Sequence, residues 1–147
     1  VLISNKLAFF AEMSSSTPLI HLLVTAALLV RNGRYLLAKR PQGKHLAGYW
    51  EFPGGKVQEN ETPAQALRRE LKEELGIHVQ VGDLFLDHTH QYPDRQVRLL
   101  TIQCQTQEEP QALEHDELIW LKPEEMRQYP ISPADEAVID LLLVRGA

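Results

Sequence analysis

Residues 55–77 read GKVQENETPAQALRRELKEELGI, and within them Arg69, Glu70, Glu73 and Glu74 set one basic and three acidic side chains into six positions. The residues around this cluster predict a helix. Thr62 followed three residues later by Gln65 makes a capping box, Pro63 falls at the first helical position where its missing N–H is not needed, and Gly76 offers a left-handed stop. Leu67, Leu71 and Leu75 recur every four residues, so one face of that helix packs inward. Glu70, Glu73 and Glu74 stand at i, i+3 and i+4 and share a face turned away from the leucines. Like charges so placed destabilise a helix by about 0.2–0.5 kcal/mol per pair. A hard divalent cation such as Mg²⁺ takes oxygen ligands of this kind and turns the repulsion into a site. The preceding Pro53-Gly54-Gly55 is expected as a loop whose backbone approaches closely, with Gly54 lending a carbonyl to the ion and Gly55 meeting the substrate.

Outward from the helix, the chain alternates strand and helix signals without internal repeats. His21 to Val30, the Asn32-Gly33 turn and Tyr35 to Lys39 predict a hairpin. Gly82 to His90 and Gln96 to Thr106 read as two strands joined across Tyr92-Pro93-Asp94-Arg95, and Glu117 to Leu121 as a short strand. Pro123 to Arg127 is a helical turn, and Pro133 to Val144 a closing helix with Val138, Ile139, Leu142 and Leu143 on its inner side. Together these predict a mixed sheet between helices. Residues 1–19 are expected to be a tag or flexible lead-in, with VLISNKLAFFAE a tag or processing remnant before Met13, and residues 20–147 one catalytic domain.

Composition narrows the function classes. A chain of 147 residues buries about two-thirds of its unfolded surface, enough for an enzyme core. The formal charge of −5 argues against binding long nucleic acid through a basic face. No apolar run approaches the length of about 20 residues that spans a bilayer. Cys104 is the single cysteine and reads as a buried, inert thiol in a reducing, cytoplasmic setting. His88 and His90 alternate on one strand face, but no Cys or third His accompanies them at zinc-like spacing, so they read as solvated or hydrogen-bonded.

A glutamate-rich helix face is ordinarily a solvated one; the spacing here is more specific. Gly55, five residues, Glu61, seven residues, Arg69-Glu70-Leu71, one residue, Glu73-Glu74, one residue, Gly76-Ile77 matches the Nudix box at every defined position. The chain resembles the MutT-like branch of Nudix hydrolases over about residues 22–145. Trp50-Glu51-Phe52-Pro53-Gly54-Gly55-Lys56 looks like the segment leading into the box, and Tyr92-Pro93-Asp94-Arg95 resembles the Phe-Pro-Asp-Arg turn of that branch. The resemblance implies an α/β/α sandwich with a central mixed sheet. It further implies nucleotide contacts from Phe52, Gly55, Lys56, Tyr92, Asp94 and Arg95, and from Arg40 and His45, which lie twelve and seven residues before Phe52. Glu114, six residues before Trp120, falls where the branch places another metal-binding glutamate.

The implied activity is hydrolysis of a phosphoric anhydride. Mg²⁺, with Mn²⁺ as a substitute, would be held by Gly54, Glu70, Glu73, Glu74 and Glu114, with Arg69 orienting the box carboxylates and Glu70 acting as ligand or base. Lys56 and Arg40 are the candidates for phosphate contacts. In MutT-like enzymes water attacks the β-phosphorus, giving nucleoside monophosphate and diphosphate. The protein would then be a monomer or homodimer acting on a small nucleotide. Ser132-Pro133-Ala134-Asp135-Glu136 resembles the Pro-Ala-Asn-Glu stretch of the branch that prefers 8-oxo-dGTP, but Asp135 stands where that Asn reads the base. An amide donates and accepts, whereas an ionised carboxylate only accepts. Either Asp135 is protonated by burial, or the preferred base presents an exocyclic amino group. The leading expectation is an 8-oxo-dGTP diphosphatase cleaning the nucleotide pool. The alternatives are a CTP or modified-dCTP pyrophosphohydrolase, then an enzyme for another nucleoside diphosphate derivative or an RNA 5′ end. A non-catalytic module fits poorly with a complete glutamate set, and Asp135 also suits a plain helix N-cap.

Overall fold

The computed structural model describes residues 19–145, so the expected lead-in up to residue 18 lies outside the described residues. The first strand decides the layering. β1 (Ile20–Arg31) is buried continuously from Thr25 to Leu29, with Ala26 and Leu28 in one apolar cluster and Ala27 and Leu29 in the other. A strand covered on both faces reads as an unbroken apolar run in this way. β1 lies parallel to β6 (Arg95–Gln105) from Ile20↔Arg95 to Leu29↔Cys104, and β6 is antiparallel to the edge strand β5 (Gln80–Gln91). The other side of β1 is shared. β4 (Gly54–Lys56) takes Val24–Ala26, and β2 (Arg34–Lys39) takes Val30 and Arg31 across the expected turn, where Asn32 and Gly33 both have positive φ. β3 (Trp50–Glu51) and β7 (Glu117–Leu121) flank β2, completing a seven-stranded mixed sheet.

Helix α1 (Pro63–Leu75) covers one face and α3 (Pro133–Arg145) the other, with the short α2 (Pro123–Met126) beside it. Leu67, Leu71 and Leu75 are fully buried against Ala27, Leu29 and Leu36, each worth about 1.5–3 kcal/mol of transfer free energy. Val138, Ile139 and Leu142 pack on the opposite cluster with Leu28 and Phe52. The expected α/β/α sandwich is therefore present. Leu143 departs from the expected inner stripe and is 40% exposed. Adjacent helical residues point about 100° apart, and the sheet meets the side bearing Val138 and Leu142. Pro53-Gly54-Gly55 also departs from a loop, because Gly54 begins strand β4. A side chain at Gly54 would bring Cβ within 2.0 Å of the Thr25 carbonyl, so this pairing requires glycine. Among the described residues no helix is long and apolar enough to cross a membrane.

Candidate active site

The box helix starts as its sequence dictates. Thr62 accepts from the Gln65 amide at 3.1 Å, Gln65 accepts from the Thr62 amide at 2.9 Å, and Gly76 closes the helix at φ 69°. Arg69 then ties the helix to the loop before it. Its Nε and Nη2 donate to the two oxygens of Glu61 at 2.8 and 3.0 Å, a bidentate fork. Nη1 reaches Glu70 at 2.9 Å and Glu73 at 3.5 Å, and Nη2 donates to the Lys56 carbonyl at 3.0 Å. The Arg69 guanidinium holds the Glu61 carboxyl down at about 2. Glu70 is different: desolvation raises its pKa, with Arg69 opposing. Gly55 presses on Glu70 so closely that a Cβ there would sit 2.2 Å from its Cδ.

Glu74 sits deeper than Glu70 and Glu73 on the face expected to bind a cation. It is only 6% exposed, its Oε2 has no hydrogen-bond partner, and burial, reinforced by Glu51, Glu70 and Glu114, lifts its pKa to about 9. Glu74, Glu51 and His115 each aim one donor atom into a space where those atoms lie within 4.8 Å of one another. His115 Nε2 is 2.9 Å from Glu51 Oε2 and 3.8 Å from Glu74 Oε1. An orphaned buried carboxylate oxygen beside further carboxylates is a donor set that a divalent cation fits. Glu114 lies on the exposed loop before β7 and within electrostatic reach of Glu70 and Glu74.

Beside this acidic cluster opens a cavity of about 230 Å³. Arg40, His45, Phe52, Gly54, Gly55, Lys56, Tyr92, Arg95 and Asp135 all line it, so the fold gathers nearly every expected substrate residue into one wall. Asp94 lies off that wall, exposed and paired with Arg95 at 2.9 Å. Arg40 donates to Glu51 Oε1 at 2.9 Å and to the His45 carbonyl at 2.6 Å. Asp135 is 5% exposed in the first turn of α3, inside the helix and not at its flanking cap position. Burial raises its pKa well above the usual carboxyl range, Glu51 adds to the rise, and the Phe52 amide opposes it. Two residues were not anticipated: Glu51, which bridges Arg40 and His115, and His115 itself. Their signal was weak, an acidic residue between Trp50 and Phe52 and a histidine next to Glu114.

A mixed sheet sandwiched by helices, with a glutamate-rich helix beside a cavity of about 230 Å³, fits a phosphoanhydride hydrolase. A model of the NUDIX domain matches residues 25–141, and the chain belongs to the Nudix family. It is 42% identical over 125 residues to the CTP pyrophosphohydrolase of Escherichia coli K12, covering 84% of this chain and 93% of that protein. It is 36% identical over 109 residues to the 8-oxo-dGTP diphosphatase of the same organism, covering 74% of this chain and 84% of the relative. The crystal structure of a MutT Nudix hydrolase from Burkholderia pseudomallei superposes with a TM-score of 0.76 at 29% identity, over 83% of this chain and 98% of that one. The expected family, fold and reaction class, a nucleotide pyrophosphohydrolase, are thus borne out.

Proposed function

We propose that this protein is a Mg²⁺-dependent pyrophosphohydrolase that converts a cytosine nucleoside triphosphate to the monophosphate and diphosphate. Asp135 is the group placed to read the base. Buried in the cavity wall with its pKa raised by desolvation and by Glu51, its carboxyl is biased toward the neutral form, which both donates and accepts. Cytosine offers the matching pair, an N3 acceptor beside an N4 amino donor. Since a neutral carboxyl suits 8-oxoguanine as well, the choice of cytosine is carried by the 42% identity to an enzyme named for CTP. A second reading is 8-oxo-dGTP, whose O6 and N7–H suit the same neutral carboxyl and whose diphosphatases are also relatives.

Glu70, Glu73 and Glu74, with Glu114 and the Gly54 carbonyl, would hold the cation. A bound divalent ion neutralises triphosphate charge and acidifies the attacking water. Arg69 fixes Glu61 and Glu70 so that their carboxylates arrive oriented. Glu70, whose proton affinity burial raises, is the group to accept the proton of the water. Lys56 and Arg40 meet the phosphates from the cavity wall. Residues 20–147 act as one catalytic domain, and the buried Cys104 thiol suits the reducing cytoplasm.

Hydrolysis of CTP in ¹⁸O-water with Mg²⁺ tests the reaction. The expected products are CMP and diphosphate, with the label in the diphosphate. Release of CDP and phosphate, or turnover of nucleoside diphosphate derivatives in place of free triphosphates, would overturn the assignment.

A further inference from the structure

The residue that precedes Asp135 is gripped at both of its backbone polar groups by side chains from β5 and from the residue just after that strand. His88 Nε2 lies 2.8 Å from the Ala134 carbonyl oxygen, and the Ala134 amide donates to the Tyr92 hydroxyl at 3.2 Å. A carbonyl only accepts, so Nε2 carries the proton of that imidazole. The amides of the first helical turn have no partner inside the helix, and Tyr92 therefore serves Ala134 as a tertiary cap.

On the other flank the contacts to this segment are made by backbone. Trp50 donates to Pro130 at 2.8 Å, Ser132 donates to Trp50 at 2.9 Å, and the Phe52 amide faces the Asp135 carboxyl. Backbone contacts of that kind survive most substitutions, whereas the β5 side depends on two particular side chains. Tyr92 also forms part of the cavity wall, but His88 does not line it. Nδ1 of His88 is buried with no partner. An unsatisfied buried polar atom is destabilising, a cost an aliphatic residue would avoid if filling space were all that position 88 required.

We propose that His88 is a positioning residue for base discrimination. By holding the Ala134 carbonyl while Tyr92 holds the amide, it fixes the direction in which Asp135 presents its carboxyl to the base. This inference rests on Asp135 as the base reader, and the experiment separates the two. For wild type, His88→Leu, His88→Gln, Asp135→Ala and the His88→Leu/Asp135→Ala double variant, kcat and KM are measured on CTP, dCTP, dATP, dGTP and 8-oxo-dGTP. The readout is the ratio of kcat/KM between best and worst base, which is independent of the folded fraction in a preparation. His88→Leu is expected to shrink that ratio about 10-fold, mainly through KM on the best substrate, as a misplaced contact does. Gln can still donate to Ala134 and keeps the ratio within about twofold of wild type, and the double variant falls no further than Asp135→Ala. If His88→Leu keeps the wild-type ratio while Asp135→Ala loses it, or if the two losses add, the positioning role is overturned. If Asp135→Ala itself leaves the ratio unchanged, the base reading fails and this inference falls with it.

Discussion

The two ends of the site are built in opposite ways. The acidic end comes chiefly from one stretch of chain, with Glu61, Glu70 and Glu73 joined by the Arg69 fork and Glu74 buried on the same helix. The base end is gathered from Phe52, Tyr92 and Asp135, which meet only because β3, β5 and α3 converge on the cavity. Yet both ends bury one carboxyl with its pKa pushed up, Glu74 and Asp135, and Glu51 raises each of them. A local motif sets the chemistry, and a tertiary assembly sets which molecule receives it.

The largest expected effect strikes the acidic end. Glu74→Gln should lower kcat by about 100-fold or more, the order lost when a metal site is disturbed, with little change in the relative order of bases. It should also raise the melting temperature of chelator-treated protein. A carboxyl whose folded pKa is raised stabilises the fold below its unfolded value of 4.5 and loses that contribution as pH rises toward about 9. Gln carries no such proton, so the gain appears at neutral pH and vanishes near pH 4. An active Glu74→Gln enzyme, or one less stable at pH 7, would break the account of this end.

Gly55→Ala comes next. The added Cβ collides with the Glu70 carboxylate at 2.2 Å, and turnover should drop about 10- to 100-fold, as for other displaced supporting groups, while circular dichroism stays unchanged. Smaller still, and confined to stability, Leu71→Ala should cost about 2–5 kcal/mol in urea unfolding and leave the base order alone. Cys104 gives the mildest test. Burial pushes its thiol up to about 12, so it should resist a thiol reagent at pH 8 until the protein is unfolded.

The acidic end was legible because its evidence is local. A capping box, a four-residue leucine repeat and a left-handed glycine are written within one helix and its neighbours, and they form as the sequence predicts. What the sequence did not disclose depends on distant contacts. Glu51 and His115 meet across a separation of 64 residues, and β3 and β4 are too short to show periodicity, being defined by pairing with β2 and β1. The burial of Glu74 follows from the same cause. Spacing places it beside Glu70 and Glu73, but His115 and Glu51 arrive from the other side and close over it. Leu143 failed for a simpler reason, since helical period alone does not say how wide a stripe the sheet covers.

The most direct test of the division between the two ends compares kcat/KM for CTP, dCTP, 5-methyl-dCTP, 8-oxo-dGTP, dGTP and dATP with Mg²⁺ in wild type and Asp135→Asn. Cytosine nucleotides are predicted to lead in wild type. Because Asn supplies a donor and an acceptor in place of a buried carboxyl whose pKa is raised, the variant should change individual preferences by at most about 150-fold while kcat on the poorest base holds. A uniform loss across all bases would contradict the account, for it would place Asp135 in the hydrolytic machinery and leave the base end without a reader.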